Sequence, residues 1–404
     1  MIRSIVTPGV EEVRARLADW AVAYPDDPWV RLLCAERGCT GRPGPGREAA
    51  FLLALVTASD ESCPADDALD PAGLDLGGLP FRLTLGRDWV QFSHSHAPGD
   101  GFAAWYFLGV LLAPGDRDDM RSGQRTGAPL TRGLMRAFGP PGSRLPHAIA
   151  VRRELRQLRP PGTRRAVEGA GRSHSSSVVT AVSPDSFTQR VRVFRAARGS
   201  AASVMSIMTM RALLLCRHHG LTVDGSIAFM VDLRRYLVAD ASVDGNFSWS
   251  KSVPVPDSDT PTQLSARIAG ILDSGLPLLI FGDALRHYAI PRPGRSAVSS
   301  RGDRAVRLMI SYATKWVNAP QPAGSAPPRI TVSIAPPGPN FVGFNVVEAY
   351  GRIHVSMNWC AATLDRAVAE RIAAEFVADL GAGPIDESIW ERHRESGTSW
   401  TGLP

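Results

Sequence analysis

The sequence predicts an α/β protein built from two lobes of near-equal size. Three observations carry this. The chain has 404 residues, too long for one ordinary core and about right for two domains. Each half carries both strand and long-helix patterns, which suits two similar layered lobes. Between the halves, Arg159 to Ser177 is rich in Pro, Gly, Ser and Arg with almost no apolar content, and reads as a linker. The expected division is a first lobe over residues 1–160, a linker over 161–177 and a second lobe over 178–404.

The elements follow in order. Val10, Val13, Leu17, Trp20 and Ala21 recur at helical spacing, so Val10 to Ala23 reads as a helix, ended by Pro25 and Pro28. A Gly/Pro-rich stretch, Gly38 to Gly46, precedes an apolar run from Ala49 to Ala58. Phe81-Arg82-Leu83-Thr84-Leu85 alternates, Gly86-Arg87-Asp88 turns, and Trp89 to His94 runs back, which together read as a hairpin. His96 to Gly101 reads as a tight loop and Phe102 to Leu112 as an apolar helix closed by Pro114-Gly115. In the second half, Val178 to Val182 reads as a strand, Ser200 to His219 as a buried helix of about five turns, and Ile227 to Val231 as a buried strand. A loose region spans Pro291 to Asp303. Arg329 to Ala335 and Arg352 to Trp359 read as strands, and Asp365 to Leu380 as an amphipathic helix.

Composition excludes several classes. Hydrophobic residues make up 44% and charged residues 21%, a globular balance, not a disordered one. No run of about 18 apolar residues is present, so no membrane span is expected. The first eight residues lack a signal-peptide core, and the cytoplasm is the expected location. The five cysteines, Cys34, Cys39, Cys63, Cys216 and Cys360, fit neither a disulfide framework nor a zinc spacing, so no metal is expected. The net charge of +6 comes almost wholly from arginine, with only Lys251 and Lys315 as lysines. This surplus favours anionic partners such as phosphates or an acidic carrier protein. Without a Lys/Arg stripe interleaved with aromatics, no nucleic-acid partner is expected.

The chemistry concentrates in Ser95-His96-Ala97-Pro98-Gly99-Asp100-Gly101. A His at a strand end, on a Gly-rich turn, projects from a rigid element toward a cleft. Asp100 stands just before a helix, where its carboxylate caps the helix or pairs with an Arg. The spacing separates a base that faces substrate from an anion that locks the loop. His94 shares a strand face with His96 and is a substrate-facing candidate, beside the plain alternative of a packed strand residue. His218-His219 close a helix before Gly220, where a capping role is the simpler reading.

Strand, turn, strand, His-x-x-x-Asp-Gly and apolar helix together resemble the condensation domains of nonribosomal peptide synthetases. They are also similar to the wider CoA-dependent acyltransferases, chloramphenicol acetyltransferase among them. Condensation domains usually carry a His where this chain has Ser95. Val231-Asp232-Leu233-Arg234 with Gly245-Asn246-Phe247 resembles the segment that brings an Arg to the motif Asp. Tyr350 to Met357 and the Asp365 to Leu380 helix resemble the closing strand and helix. For the Asp-Phe-Gly-Trp-Gly loop of condensation domains, Asn340-Phe341-Val342-Gly343-Phe344 is the nearest match, and a poor one.

The resemblance implies two chloramphenicol-acetyltransferase-like lobes in a pseudo-dimer, with a tunnel at their junction. It implies an acyltransferase in which His96 is the general base and Asp100 and Gly101 are structural, with Arg234 pairing with Asp100. Arg235 is the alternative partner. Asn246 and Trp249 are further candidates to line the tunnel, with core packing the commoner role for a Trp. The expected donor is a thioester on CoA or on an acyl or peptidyl carrier protein. The acceptor is a small-molecule alcohol or amine, in bacterial natural-product or lipid biosynthesis. No bound cofactor is expected. A stand-alone condensation enzyme acting on carrier-bound substrates, and a non-catalytic member that binds a carrier protein or small molecule, are the alternatives.

Overall fold

The computed structural model describes residues 1–34, 39–41, 43–44, 47–66, 69, 75–112, 127–139, 144–158, 176–184, 187–197, 201–239, 241, 243, 245–257, 259–289, 305–313, 319–336 and 338–378. The first sheet has the order β11-β1-β6-β5-β4. Its strands are β1 (Ile2–Arg3), β4 (Val56–Ala58), β5 (Phe81–Leu85), β6 (Trp89–His94) and β11 (Arg329–Ile330). A short hairpin, β2 (Leu32–Cys34) and β3 (Cys39–Gly41), places Cys34 opposite Cys39. The second sheet has the order β7-β13-β12-β10-β8-β9. It comprises β7 (Ser176–Val182), β8 (Val223–Asp232), β9 (Ser248–Pro254), β10 (Val306–Ala313), β12 (Phe341–Ala349) and β13 (Arg352–Cys360).

Helices α1 (Val10–Ala23), α2 (Glu48–Leu55) and α3 (Gly101–Leu112) cover the first sheet. Their apolar side chains, Val13, Leu17, Phe51, Leu55, Phe107 and Leu111, meet Phe81, Leu83 and Val90 in one core. Helices α5 (Leu145–Gln157), α6 (Phe187–Ala197), α7 (Val204–His218), α8 (Pro261–Asp273) and α10 (Arg366–Val377) cover the second sheet. Every residue of α7 from Ser206 to Cys216 is buried, as a helix apolar nearly all round must be. Ser203 caps α7, and Asp365 caps α10 by accepting from Ala367 N–H at 2.8 Å. Helices α4 (Pro129–Phe138) and α9 (Leu276–Ala289) enclose a smaller core with Leu233, Tyr236, Phe247 and Leu278. Among the described residues no single helix is long and apolar enough to cross a membrane. The bent pair α8–α9 passes that test only by length and composition, and its Leu264, Ile271, Leu276 and Leu278 are buried in the protein.

Two layered lobes, each a sheet with helices, are present as expected, but packing does not follow the division at residue 160. Ala148, Val151 and Leu155 of α5 belong to the core of the second sheet, and Ala137 of α4 to the smaller core beside it. Strand β11, from the second half, completes the first sheet by pairing antiparallel with β1. The stretch read as a linker lies outside the described residues except for Ser176 and Ser177, which already pair in β7. The loose region from Pro291 to Asp303 lies outside them too, as does Leu380.

Three element readings change. The apolar run from Ala49 divides into α2 and β4, because Val56 to Ala58 pair with β5. The strand expected over Arg329 to Ala335 is regular only at Arg329 and Ile330. Beyond that it is a strap laid across β13: Thr331 N–H donates to Met1 O at 2.8 Å, and the alternate N–H groups go to side chains of β13. Ile330 N–H donates to His354 Nδ1 at 3.2 Å, Val332 to Ser356 Oγ at 2.9 Å and Ile334 to Asn358 Oδ1 at 3.0 Å. The alternation of β13 is therefore not polar-out. His354, Ser356 and Asn358 are all buried, because the strap's backbone needs their acceptors. Beneath it, Asp66 accepts from Arg3 at 2.7 Å, Arg329 at 2.9 Å and Thr331 at 3.2 Å, and so joins loop, β1 and strap.

Candidate active site

The His96 loop begins where β6 ends. Ser95 N–H donates to Pro80 O at 3.0 Å, and Ser95 Oγ accepts from Ala97 N–H at 3.1 Å. The residue that stands where condensation domains usually carry a His thus closes a local turn. His96 occupies that turn with its side chain exposed. The surrounding protein still desolvates the ring and lowers its pKa below the usual histidine value, with Asp100 opposing the shift. The imidazole is therefore neutral at pH 7 and has a lone pair to accept a proton.

Asp100 is 2% exposed. Its Oδ1 accepts from Ala103 N–H at 3.1 Å and so caps α3. Its Oδ2 accepts from Arg234 Nη1 at 2.7 Å and from Phe247 N–H at 3.2 Å. The carboxylate thus holds a helix of the first lobe and two segments of the second. Arg234 sits in the short turn after β8, fixed by Asp232, whose Oδ1 takes Arg234 N–H at 2.9 Å and Nη1 at 3.2 Å. Its guanidinium lies 5.5 Å from the ring centre of exposed Phe102. Arg235 points elsewhere, to Asp273 at 4.0 Å. A second tie joins the lobes beside His96: Gly245 N–H donates to Pro98 O at 3.2 Å, and Gly99 bridges Gly245.

The other candidates divide. His94 is packed among Trp29 and Phe92, at ring separations of 5.6 Å and 5.3 Å, with Nδ1 2.8 Å from Ser95 O. Burial pushes its pKa down to about 4. It lies 5.5 Å from the His96 ring as a wall residue of the aromatic core. Trp249 pairs in register with Val231 and packs on the cluster of Leu233, Tyr236 and Phe247, so core packing takes it. Asn246 is exposed, and its side chain accepts from Ser248 N–H and Oγ in a turn. His219 lies 3.1 Å from Glu375.

Gly101 and Gly99 exchange importance. A Cβ on Gly101 meets nothing within 4 Å, so the structure places no demand on that glycine. A Cβ on Gly99 would stand 2.8 Å from Ala103 Cβ and 2.9 Å from Trp29 Cζ2, a distance real side chains do not tolerate. Sequence reading passed over Gly99 and Asp232. The glycine lay inside the motif, and Asp232 two residues before Arg234 carried the N-cap spacing that could have found it.

No family model matches this sequence, and no curated protein matches it. Solved structures share its fold at low identity. The X-domain from teicoplanin biosynthesis is 17% identical across 100% of this chain and 91% of that one, with a TM-score of 0.53. The TRI3 trichothecene 15-O-acetyltransferase from Fusarium sporotrichioides is 13% identical over 93% of this chain and 88% of that one, also at 0.53. A structure of condensation-domain-mediated chain release from the enacyloxin polyketide synthase is 16% identical, covering 93% and 76%, at 0.50.

Proposed function

From the two-lobed fold it shares with condensation and acetyltransferase domains, we propose that this chain is an acyltransferase. It moves an acyl group from a thioester, on CoA or on a carrier protein, to a small alcohol or amine. The observation that carries this reading is the placement of His96. An exposed, neutral imidazole stands on a loop that Asp100, Arg234, Phe247 and the Gly99–Gly245 bridge fasten to both lobes.

Each residue has one task in this mechanism. The acceptor's hydroxyl or amine approaches His96, and the imidazole lone pair takes its proton as the acceptor atom bonds to the thioester carbonyl carbon. The carbonyl pair moves to oxygen, then returns and expels the thiolate. His96 gives its proton back to that sulfur, so the products are the ester or amide and a free thiol. General-base help of this kind is worth on the order of 10² to 10⁴ in rate. Asp100 does not touch the reacting atoms. Its pair with Arg234 keeps the loop at one height between the lobes. A tunnel between the lobes would admit donor and acceptor from opposite sides, since junctions of domains favour ligand sites.

The test is thiol release by purified protein from acyl-CoA and acyl-carrier thioesters, with a panel of alcohols and amines. Release that requires both acceptor and His96 supports the proposal. Donors that react only on carrier protein would make the chain a stand-alone condensation enzyme. A second reading has one observation in its favour, the likeness to the teicoplanin X-domain, which forms a complex with OxyB. On that reading the chain binds a partner protein without chemistry, and His96→Ala changes nothing measurable.

A further inference from the structure

The second sheet has one face under its helices and one toward the first lobe. Phe229, Ile310 and Phe344 belong to the helix-covered core. Their neighbours along each strand point the other way. On that opposite face, Val347 and Ala349 at the end of β12 are packed into the first lobe's core. The earlier part of the same face therefore looks into the region between the lobes.

One crosswise row on this face changes character along its length. Register places Thr180 beside Ser356, Ser356 beside Asn345 and Asn345 beside Ser311. The β8–β10 register, continued past Ile310 and Phe229, sets Met230 next to Ser311. The first two positions are sealed. Thr180 and Ser356 bond each other at 3.2 Å, Thr180 bonds Thr331 at 3.0 Å, and the strap's Val332 N–H closes on Ser356. Ser311 and Met230, at the far end, are partly accessible to solvent.

Asn345 stands at the change. It is 3% exposed, and its side chain bonds to none of the described residues, with Nδ2 fully buried and unpaired. A buried amide without a partner destabilises the free protein. On the same face, Gly343 is buried, yet a Cβ added there meets nothing nearer than Met309 Cε at 3.4 Å. Met309, in register with Gly343 and partly exposed, thus sets a thioether on the flank of the unpaired amide. β8 leads from Met230 in two residues to Asp232, which fixes the Arg234 that holds Asp100.

We propose that Asn345 is a specificity-determining residue whose amide binds a hydroxyl or amide carried by the substrate chain, which lies along Met230 and Met309. An amide offers two N–H donors and one accepting oxygen, and both groups answer it. This rests on the acyl-transfer reading, in that the chain is the acyl group or the acceptor.

Calorimetric titration of the full chain with two probe pairs tests it. Octanoyl-pantetheine and 3-hydroxyoctanoyl-pantetheine represent the donor; 1-octanol and 1,3-octanediol represent the acceptor. In one pair the hydroxylated member should bind the wild type about tenfold tighter, the discrimination of one buried hydrogen bond made or left unmade. Asn345→Leu should abolish that difference, and Asn345→Ala is the second variant should leucine not fold. The pair that responds identifies the source of the group. No preference in either pair, or a preference that survives both substitutions, overturns the proposal. Should the wild type bind with the preference yet release no thiol with any acceptor, the acyl-transfer reading fails while the binding role of Asn345 stands.

Discussion

On the proposed mechanism His96 acts as a base only while its ring is unprotonated, and the protein around it favours that state. Its pKa is lowered by desolvation, so the neutral form persists below the ordinary value of 6.5. The acid limb of kcat/KM should therefore lie below pH 6.5, and a limb above that value contradicts the assignment. His96→Ala should cut turnover by at least about a hundredfold. Because the side chain is exposed, its melting temperature should match the wild type. Asp100 is the opposite case, buried and bonded on both oxygens. Asp100→Ala leaves Arg234 with only the half-exposed Asp232 and strands two backbone N–H groups, and should cost about 3 kcal/mol of stability along with activity. Arg234→Ala should cost a similar amount, and the double variant less than the sum, since the two act as one unit. A denaturation cycle on both residues reads this directly; strict additivity would refute the coupling.

At the scale of an element, the strap over β13 is the least ordinary feature. Three of its backbone donors rely on side chains, one of them a histidine at 0% exposure. His354 accepts from Ile330 through Nδ1, which requires that nitrogen to carry no proton. Burial pushes its pKa down to about 4, and Arg352 and Arg329 push the same way. The sign follows: with the folded pKa below the unfolded value of 6.5, the unfolded chain takes the proton first on acidification. Stability is whole above pH 6.5 and falls as pH drops toward 4, by about 3 kcal/mol from this one group. His354→Gln should remove this part of the loss, as read by urea denaturation at pH 7 and pH 4.5. An unchanged pH dependence in the variant would refute it. Asn358 both accepts from Ile334 and donates to Val332 O at 2.9 Å. Asn358→Ala should therefore loosen the strap by about 1–3 kcal/mol, with faster amide exchange at Val332 and Ile334.

At the scale of the molecule, the lobes share chain as well as contact. β11 leaves the second half to finish the first sheet, α4 and α5 leave the first half for the second body, and Asp66 ties Arg3 to Arg329. Two lobes joined in this way should melt together. Asp66→Ala leaves two guanidinium groups without their shared carboxylate, and should lower stability by about 3 kcal/mol while keeping one cooperative transition. Two separate transitions in the wild type would show that the exchanged segments do not couple the lobes.

Much of this was legible in local pattern. The β5–β6 hairpin, α1, α3 and α10 follow from alternation, helical spacing and caps, all set by neighbours a few residues apart. The His96 motif was legible for the same reason, as a strand end, a turn and a helix start lie within seven residues. What only tertiary structure decided involves partners far along the chain. The Arg329 to Ala335 stretch has strand composition, yet only its start pairs with β1, and its Ile330, Val332 and Ile334 N–H groups go to His354, Ser356 and Asn358. Trp249 and His94 went to aromatic and apolar packing that no local pattern announces. The demand for glycine at position 99 comes from Ala103 in the helix that follows and equally from Trp29, seventy residues earlier, pressing on the loop. Asn345 sits in a mostly apolar strand, where the sequence shows only a polar interruption, one of two with Glu348. Its unpaired amide becomes visible only once the register shows which neighbours are sealed by the strap and which stand open.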